Sequence, residues 1–211
     1  MGSKERRERQ RDAVRMKILD AAREMFAANG YEGVSMRAIA ERIEYSPTAI
    51  YQHFEDKEAL IRELCYADFG RLAEELIESQ KIEDPIERLH ACGLAYARFA
   101  IEHPNHYRLM FMSPLPAKYD EAEMAEIKGQ PEFDSYALLL SQVRSAAQAG
   151  RLRDPGADPD IVAQTLWAGI HGVVSLEIAL GCDKWTAWRP LEMRVRTMLS
   201  VLAAGLFAGV A

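Results

Sequence analysis

"GYEGVSMRAIAERIEYSPTAIYQHFEDKEALIREL", residues 30–64, carries three helix-start signals in a short span. Ser35 precedes a run with Ile39, Ala40 and Ile43 on one face, Ser46 stands immediately before Pro47, and Asp56 precedes a longer run with Leu60, Ile61, Leu64 and Leu72. Serine and aspartate accept hydrogen bonds from the unpaired N–H groups of a first turn, and proline at the first helical position forfeits nothing. Upstream, Val14, Ile18, Leu19, Ala22, Met25 and Phe26 recur at helical spacing until Gly30, which reads as a left-handed stop. A long helix, two short ones joined through Glu44, Tyr45 and Ser46, the second ending near Gln52, then another long helix spell helix-turn-helix.

Such a short helix fits a major groove roughly 12 Å wide, its free N–H groups suited to phosphate oxygens. Pro47, Thr48 and Ala49 occupy its exposed start, while Tyr51 and His53 at its end can donate to phosphates. Lys57, in the first turn of the next helix, opposes the helix dipole, a conflict an anion would resolve. The alternative makes Tyr51 and Phe54 core aromatics and His53 and Lys57 ordinary surface polars.

These residues closely resemble the DNA-binding domain of the TetR family of bacterial transcriptional regulators. The resemblance covers about residues 12–64 and rests on the spacing of Ser35, Ile39, Ala40, Ser46, Tyr51, His53, Phe54, Lys57 and Leu60. It implies that Ser35 touches phosphate, that Arg37 can read a base, that Pro47, Thr48 and Ala49 face bases, and that Tyr51, Gln52, His53 and Lys57 contact the backbone. Phe54 then packs. The turn departs from the family pattern, which has glycine then valine where this chain has Glu44 and Tyr45. A left-handed Glu44 costs about 1 kcal/mol.

Composition narrows the remaining classes. The chain has 211 residues, 49% hydrophobic, with a net charge of −6, enough for a real core. Cys65, Cys92 and Cys182 lie far apart without a CxxC pair, which fits a reducing cytoplasm and no disulfide framework. The charged start and the lack of a long uninterrupted apolar run argue against secretion and membrane spanning. Residues 1–17 hold seven Lys/Arg against three acids, a local +4, read either as a disordered leader or as a basic arm along phosphates. His103 and His106 flank Pro104 with no matching ligand set, and no nucleophile elbow, P-loop or dinucleotide fingerprint occurs, so neither metal, cofactor nor enzymatic activity is expected.

Beyond residue 80, prolines at 85, 104, 131, 159 and 190 each mark a possible helix start, and a helical bundle is expected. The segments 113–131, with a possible turn around 122–127, and 151–159 read as loops. The helix over 158–181 is apolar over so wide an arc that it needs cover on two sides, and Gly169 and Gly172 suggest a close neighbour. With the final helix it reads as a two-helix dimer surface through Thr165, Gly169, Gly172, Leu176, Val195, Leu199, Leu202 and Leu206; the alternative is that both only cover the monomer core. TetR-like proteins generally dimerise through their last two helices, as the resemblance implies.

"LWAGIHG" (166–172) and "HPNHYRLMF" (103–111) also resemble a TetR C-terminal domain type marked by Trp, His and Gly. Tyr96, Phe99, Met110, Phe111 and Tyr136 either line an apolar cavity or fill a core; Trp167 and His171 share one face, where His171 hydrogen-bonds a ligand or a buried backbone group. The expected protein is all-α: a basic flexible arm (1–11), a helix-turn-helix domain (12–55), and a ligand-binding and dimerisation domain (56–211) entered by a connecting helix (56–79). Its expected function is a cytoplasmic, homodimeric repressor of a palindromic double-stranded operator, responsive to a small, partly apolar effector. An activator of the same fold, or a helical carrier or enzyme without DNA binding, are the alternatives.

Overall fold

The computed structural model describes residues 3–113 and 125–209, and the protein is all-α. Its helices are α1 (Ser3–Asn29), α2 (Met36–Arg42), α3 (Pro47–Tyr51), α4 (Lys57–Ile77), α5 (Pro85–Glu102), α6 (Pro104–Tyr107), α7 (Ser135–Gln148), α8 (Pro159–Leu180) and α9 (Leu191–Leu206). A 3-10 turn at Glu78–Lys81 follows α4, and a π-helical turn at Arg108–Met112 follows α6. Residues 125–127 are helical, while the rest of the turn expected around 122–127 lies outside the described residues. Among the described residues no strand forms; Leu152 and Phe207 make an isolated antiparallel bridge.

Two compact units result, one formed by residues up to Asp68 with a segment beginning at Asn105, the other by Phe69–Pro104 with the C-terminal part. The division falls inside α4 rather than after residue 55, because its first turns bury Leu60, Ile61 and Leu64 in the core of the first unit. That core also takes Ile18, Ala22 and Phe26 from α1, Ile39 and Ala40 from α2, Ile50 from α3, and Phe54. Ser35, Ser46 and Asp56 cap as their positions predict, accepting from the N–H groups of Ala38, Ala49 and Ala59. The flexible arm expected over residues 1–11 is not seen: from Ser3 onward the chain is already α1.

Polar chemistry fixes the rotation of α1. Arg23 donates through Nε and Nη2 to Asp68 on α4 at 3.1 and 2.9 Å, and through Nη1 to Asp20 at 2.9 Å. His106 Nδ1, from α6, meets the same Asp68 carboxylate at 2.9 Å. The two charged side chains of the central pair are 9% and 1% exposed, so both have left water.

The second unit packs α8 against α9, α7 and α5. Ile86, Leu89, Val143, Ala146, Val162 and Phe207 belong to its core. Pro85 and Pro159 open α5 and α8 behind the capping carboxylates of Asp84 and Asp158. Pro131 opens no helix: it sits in a turn, and α7 begins only after Asp134, whose carboxylate accepts from the N–H groups of Tyr136 and Ala137. Segment 151–153, expected as loop, pairs with 206–208 through Arg153 N to Leu206 O and Ala208 N to Arg151 O.

Removing one member of a buried ion pair strands the other. Asp68→Ala is expected to destabilise the protein by about 3–5 kcal/mol, as read by equilibrium urea unfolding. A loss no larger than that of an exposed ion pair would show that Asp20 alone satisfies Arg23.

Candidate nucleic-acid interface and effector site

The turn between α2 and α3 aims the shorter helix. Tyr45 N–H bonds Ala40 O at 2.9 Å and Glu44 N–H bonds Glu41 O at 3.2 Å, the paired bonds of a Schellman termination. Glu44 takes the left-handed position, φ 60°, where glycine is usual and a side chain costs about 1–2 kcal/mol. The strain sits in the turn that separates the two short helices.

Beyond it, Pro47 and Thr48 are exposed at the start of α3 and Ala49 is half-buried, leaving a small surface that can approach base edges closely. Tyr51 is 55% exposed and Gln52 is exposed, whereas Phe54 is core, so the two aromatics have different roles. Arg37 is exposed and pairs with Glu41 on its own helix. The hydroxyls of Ser35 and Ser46 already accept from cap N–H groups, which leaves each hydroxyl hydrogen to donate outward.

Lys57 resolves its dipole conflict inside the protein. Its ammonium donates to Tyr31 O at 2.9 Å and Val34 O at 3.0 Å and lies 3.9 Å from the Tyr31 ring centroid. It therefore clamps the α1–α2 turn, and with it Ser35, using two of its three N–H groups. Arg15 does the same at the far end of α3. It forms a bidentate pair with Glu63, donates to His53 O at 3.1 Å and stacks 4.6 Å from the Phe54 ring centroid. The sequence reading placed Arg15 in the basic leader and missed this role, because its partners lie 38 and 48 residues away.

His53 is half-buried with Nδ1 unpartnered. Burial, then Arg11 and Arg15, hold its pKa below the usual 6.5. It is neutral at pH 7, and the proton belongs on Nε2 if Nδ1 is the buried bare nitrogen.

In the second unit, Trp167 Nε1 donates to Tyr96 OH at 3.1 Å, and that hydroxyl lies 3.4 Å from His171 Nδ1. A phenol that accepts from indole donates onward, so His171 accepts at Nδ1, in keeping with burial holding its pKa below 6.5. Tyr136 joins them, its ring 6.2 Å from Trp167 and its hydroxyl donating to Asp160 at 3.0 Å and accepting from Gln164 at 3.3 Å. Asp160 and Gln164 escaped the sequence reading. Phe99 is buried against His103. Met110 and Phe111 belong to the other unit, with Phe111 against Tyr107. Burial pushes the Cys65 and Cys92 thiols to about 12, which removes thiolate chemistry from both.

The residues expected at a dimer surface are not all exposed. Val195 and Leu199 are buried within the chain, and Leu202 and Leu206 are half-buried; a Cβ on Gly169 would stand 2.5 Å from Leu202 Cδ1 and 2.8 Å from Met198 Sδ. That close approach is therefore made by α9 of the same chain. Gly172 meets nothing within 4 Å. It lies on an outer stripe with Ile161, Thr165, Ala168 and Leu176, and Met193 and Val201 on α9 are exposed as well. By length and composition α8 would even pass for a membrane span, yet only 28% of its most apolar stretch is covered within the chain.

Comparison with known proteins follows the same division. Residues 18–64 match the family model of bacterial regulatory proteins of the tetR family, and residues 89–202 match that of the tetracyclin repressor-like C-terminal domain. The HTH-type transcriptional repressor AcnR of Corynebacterium diphtheriae is 42% identical over 188 residues, covering 85% of this chain and 88% of that protein. The HTH-type transcriptional regulator UidR of Escherichia coli is 39% identical over 77 residues, 36% of each chain. A TetR family transcription regulator from Marinobacter aquaeolei superposes with a TM-score of 0.74 at 20% identity, covering 94% of this chain and 98% of that one.

The depressed histidines predict an acid weakness. Between the folded pKa of His53 or His171 and the unfolded value near 6.5, the unfolded chain binds more protons than the folded one, so stability falls as pH drops below 6.5. His171→Gln should flatten that decline in denaturation midpoints measured from pH 7.5 to 5; an unchanged slope would remove His171 from the account.

Proposed function

Because the chain belongs to the TetR family of bacterial DNA-binding transcriptional regulators, we propose that it is a homodimeric repressor of a palindromic operator, released by a small, partly apolar effector. The observation that carries the DNA reading is the start of α3: small exposed residues between a capped N-terminus and a clamped C-terminus. Thr48, Pro47 and Ala49 face bases with Arg37 beside them; Ser35, Tyr51, Gln52 and His53 donate to phosphates; Lys57 holds the frame and has one N–H left for phosphate. Repression rather than activation is supported by the AcnR likeness over most of both chains. Such a regulator works in the bacterial cytoplasm, where its operators are.

The second copy docks on the outer stripe of α8 and α9. An apolar helix left mostly uncovered by its own chain needs a partner surface, and an isologous pairing through Gly172 lets two α8 helices approach closely. The effector site is supported by the Tyr96–Trp167–His171 chain of hydrogen bonds, polar groups that can give a bound molecule direction.

Selection from a random duplex pool should enrich an inverted repeat with half-sites about one helical turn, near 34 Å, apart. Thr48→Ala should relax one base position by about 1–3 kcal/mol. Enrichment of a single asymmetric site would overturn the dimeric reading. Gly172→Leu is expected to shift sedimentation toward monomer and to weaken operator binding in step; an intact dimer would place the interface elsewhere. Among hydrophobic metabolites screened by thermal shift, a stabilising one should also release operator from wild type, and Trp167→Ala should blunt both effects. Ligands that stabilise without releasing DNA would leave a regulator governed by abundance alone.

A further inference from the structure

The face of α1 that buries Ile18, Leu19, Ala22 and Phe26 continues toward the N-terminus past the body of the first unit. At 100° per residue, Arg15, Arg11 and Arg7 follow on that same face. Arg15 is taken up by Glu63 and His53 O, whereas Arg11 and Arg7 are exposed. Glu8 stands on the edge of that face, about 20° past Arg15, with Asp12 and Glu5 beyond it, and Arg6 and Lys17 lie on the other side, so only the arc from Arg6 through Arg7 and Arg11 to Arg15 contains no carboxylate. Where apolar residues would be expected to continue a core face, the chain carries the guanidinium groups of Arg11 and Arg15, bordered by Glu8. A face built this way is complementary to an anionic surface, and it begins beside the C-terminal end of α3.

We propose that the N-terminal extension of α1 is a rigid phosphate-binding rail, in which Arg7 and Arg11 contact the DNA backbone flanking each half-site. The inference rests on the operator-binding reading above and adds a contact that the helix-turn-helix itself does not make. Its geometry follows from the helix. Arg11 stands one turn from Arg15, which touches His53 and Phe54 just past the end of α3, and Arg7 one turn further, about 12 Å from Arg15 along the axis. Arg11 is also close enough to His53 to help keep its imidazole neutral, which places the start of the rail next to a proposed phosphate donor. In a chain of net charge −6, a local basic face directs the first unit, and not the whole molecule, toward DNA. Because the segment is helical and not a flexible leader, its contacts have a fixed register with α3.

The test compares wild type with Arg7→Gln/Arg11→Gln on the selected operator across a salt series. Two lost phosphate contacts should lower the slope of log K against log salt by about two, so that between 50 and 200 mM salt the variant loses about tenfold less affinity than wild type. Base preference and the melting midpoint should stay as in wild type. Independently, trimming the duplex outside the half-sites should weaken wild type but not the variant. An unchanged slope, or equal sensitivity of both proteins to trimming, would overturn the rail while leaving the regulator reading intact. Wild type that binds no selected duplex would instead sink the regulator reading on which it rests.

Discussion

A guanidinium and a carboxylate that have both left water set the frame of this protein. Arg23 and Asp68 repay their desolvation only if their hydrogen bonds are complete, and Asp20 and His106 complete them. The geometry tolerates little rotation of α1 about its axis, and that rotation decides much else. It turns Arg15 toward Glu63 and the end of α3, and it sets the direction of the basic face that precedes it. Hydrophobic contact alone, being non-directional, would not have fixed this phase.

The recognition helix is accordingly a short element held from both ends. Five residues cannot sustain a helix in isolation. Ile50 anchors it to the core, Lys57 secures the α1–α2 turn leading into α2, and Arg15 grips its exit. Cations that a charge count would assign to DNA are thus spent on main-chain carbonyls and a single carboxylate. The consequence is a stiff short helix, and in the operator complex proposed above that stiffness is what lets a small exposed surface discriminate between bases.

The helix-turn-helix was legible because its signals are local: Ser35, Ser46 and Asp56 each accept from an N–H three residues ahead, and Pro47 and Gly30 fix backbone angles by themselves. Glu44 was legible as strain for the same reason. What escaped depends on partners distant in the chain. Nothing near Lys57 announces the carbonyls of Tyr31 and Val34, and nothing near Arg15 announces Glu63. On α8 and α9 the wheel reveals apolar arcs but not which arc meets its own chain, so Val195 and Leu199 were assigned outward when they face in. Proline at 131 permits a helix start without causing one, and the carboxylate of Asp134 supplied the start three residues later.

The π-helical turn at Arg108–Met112 gives the chain a local surplus. A π turn closes over one residue more than an α turn, so it holds an extra residue without breaking the run of backbone bonds. Deleting one residue there would return the segment to α geometry and turn the side chains within it by up to about 100° relative to α6. Since Leu109 and Met110 are buried while His106 is tied to Asp68, such a deletion would exchange inside for outside across one turn. Chain length in this segment is therefore under tighter constraint than residue identity: a conservative substitution can be absorbed by repacking, whereas a single-codon deletion cannot.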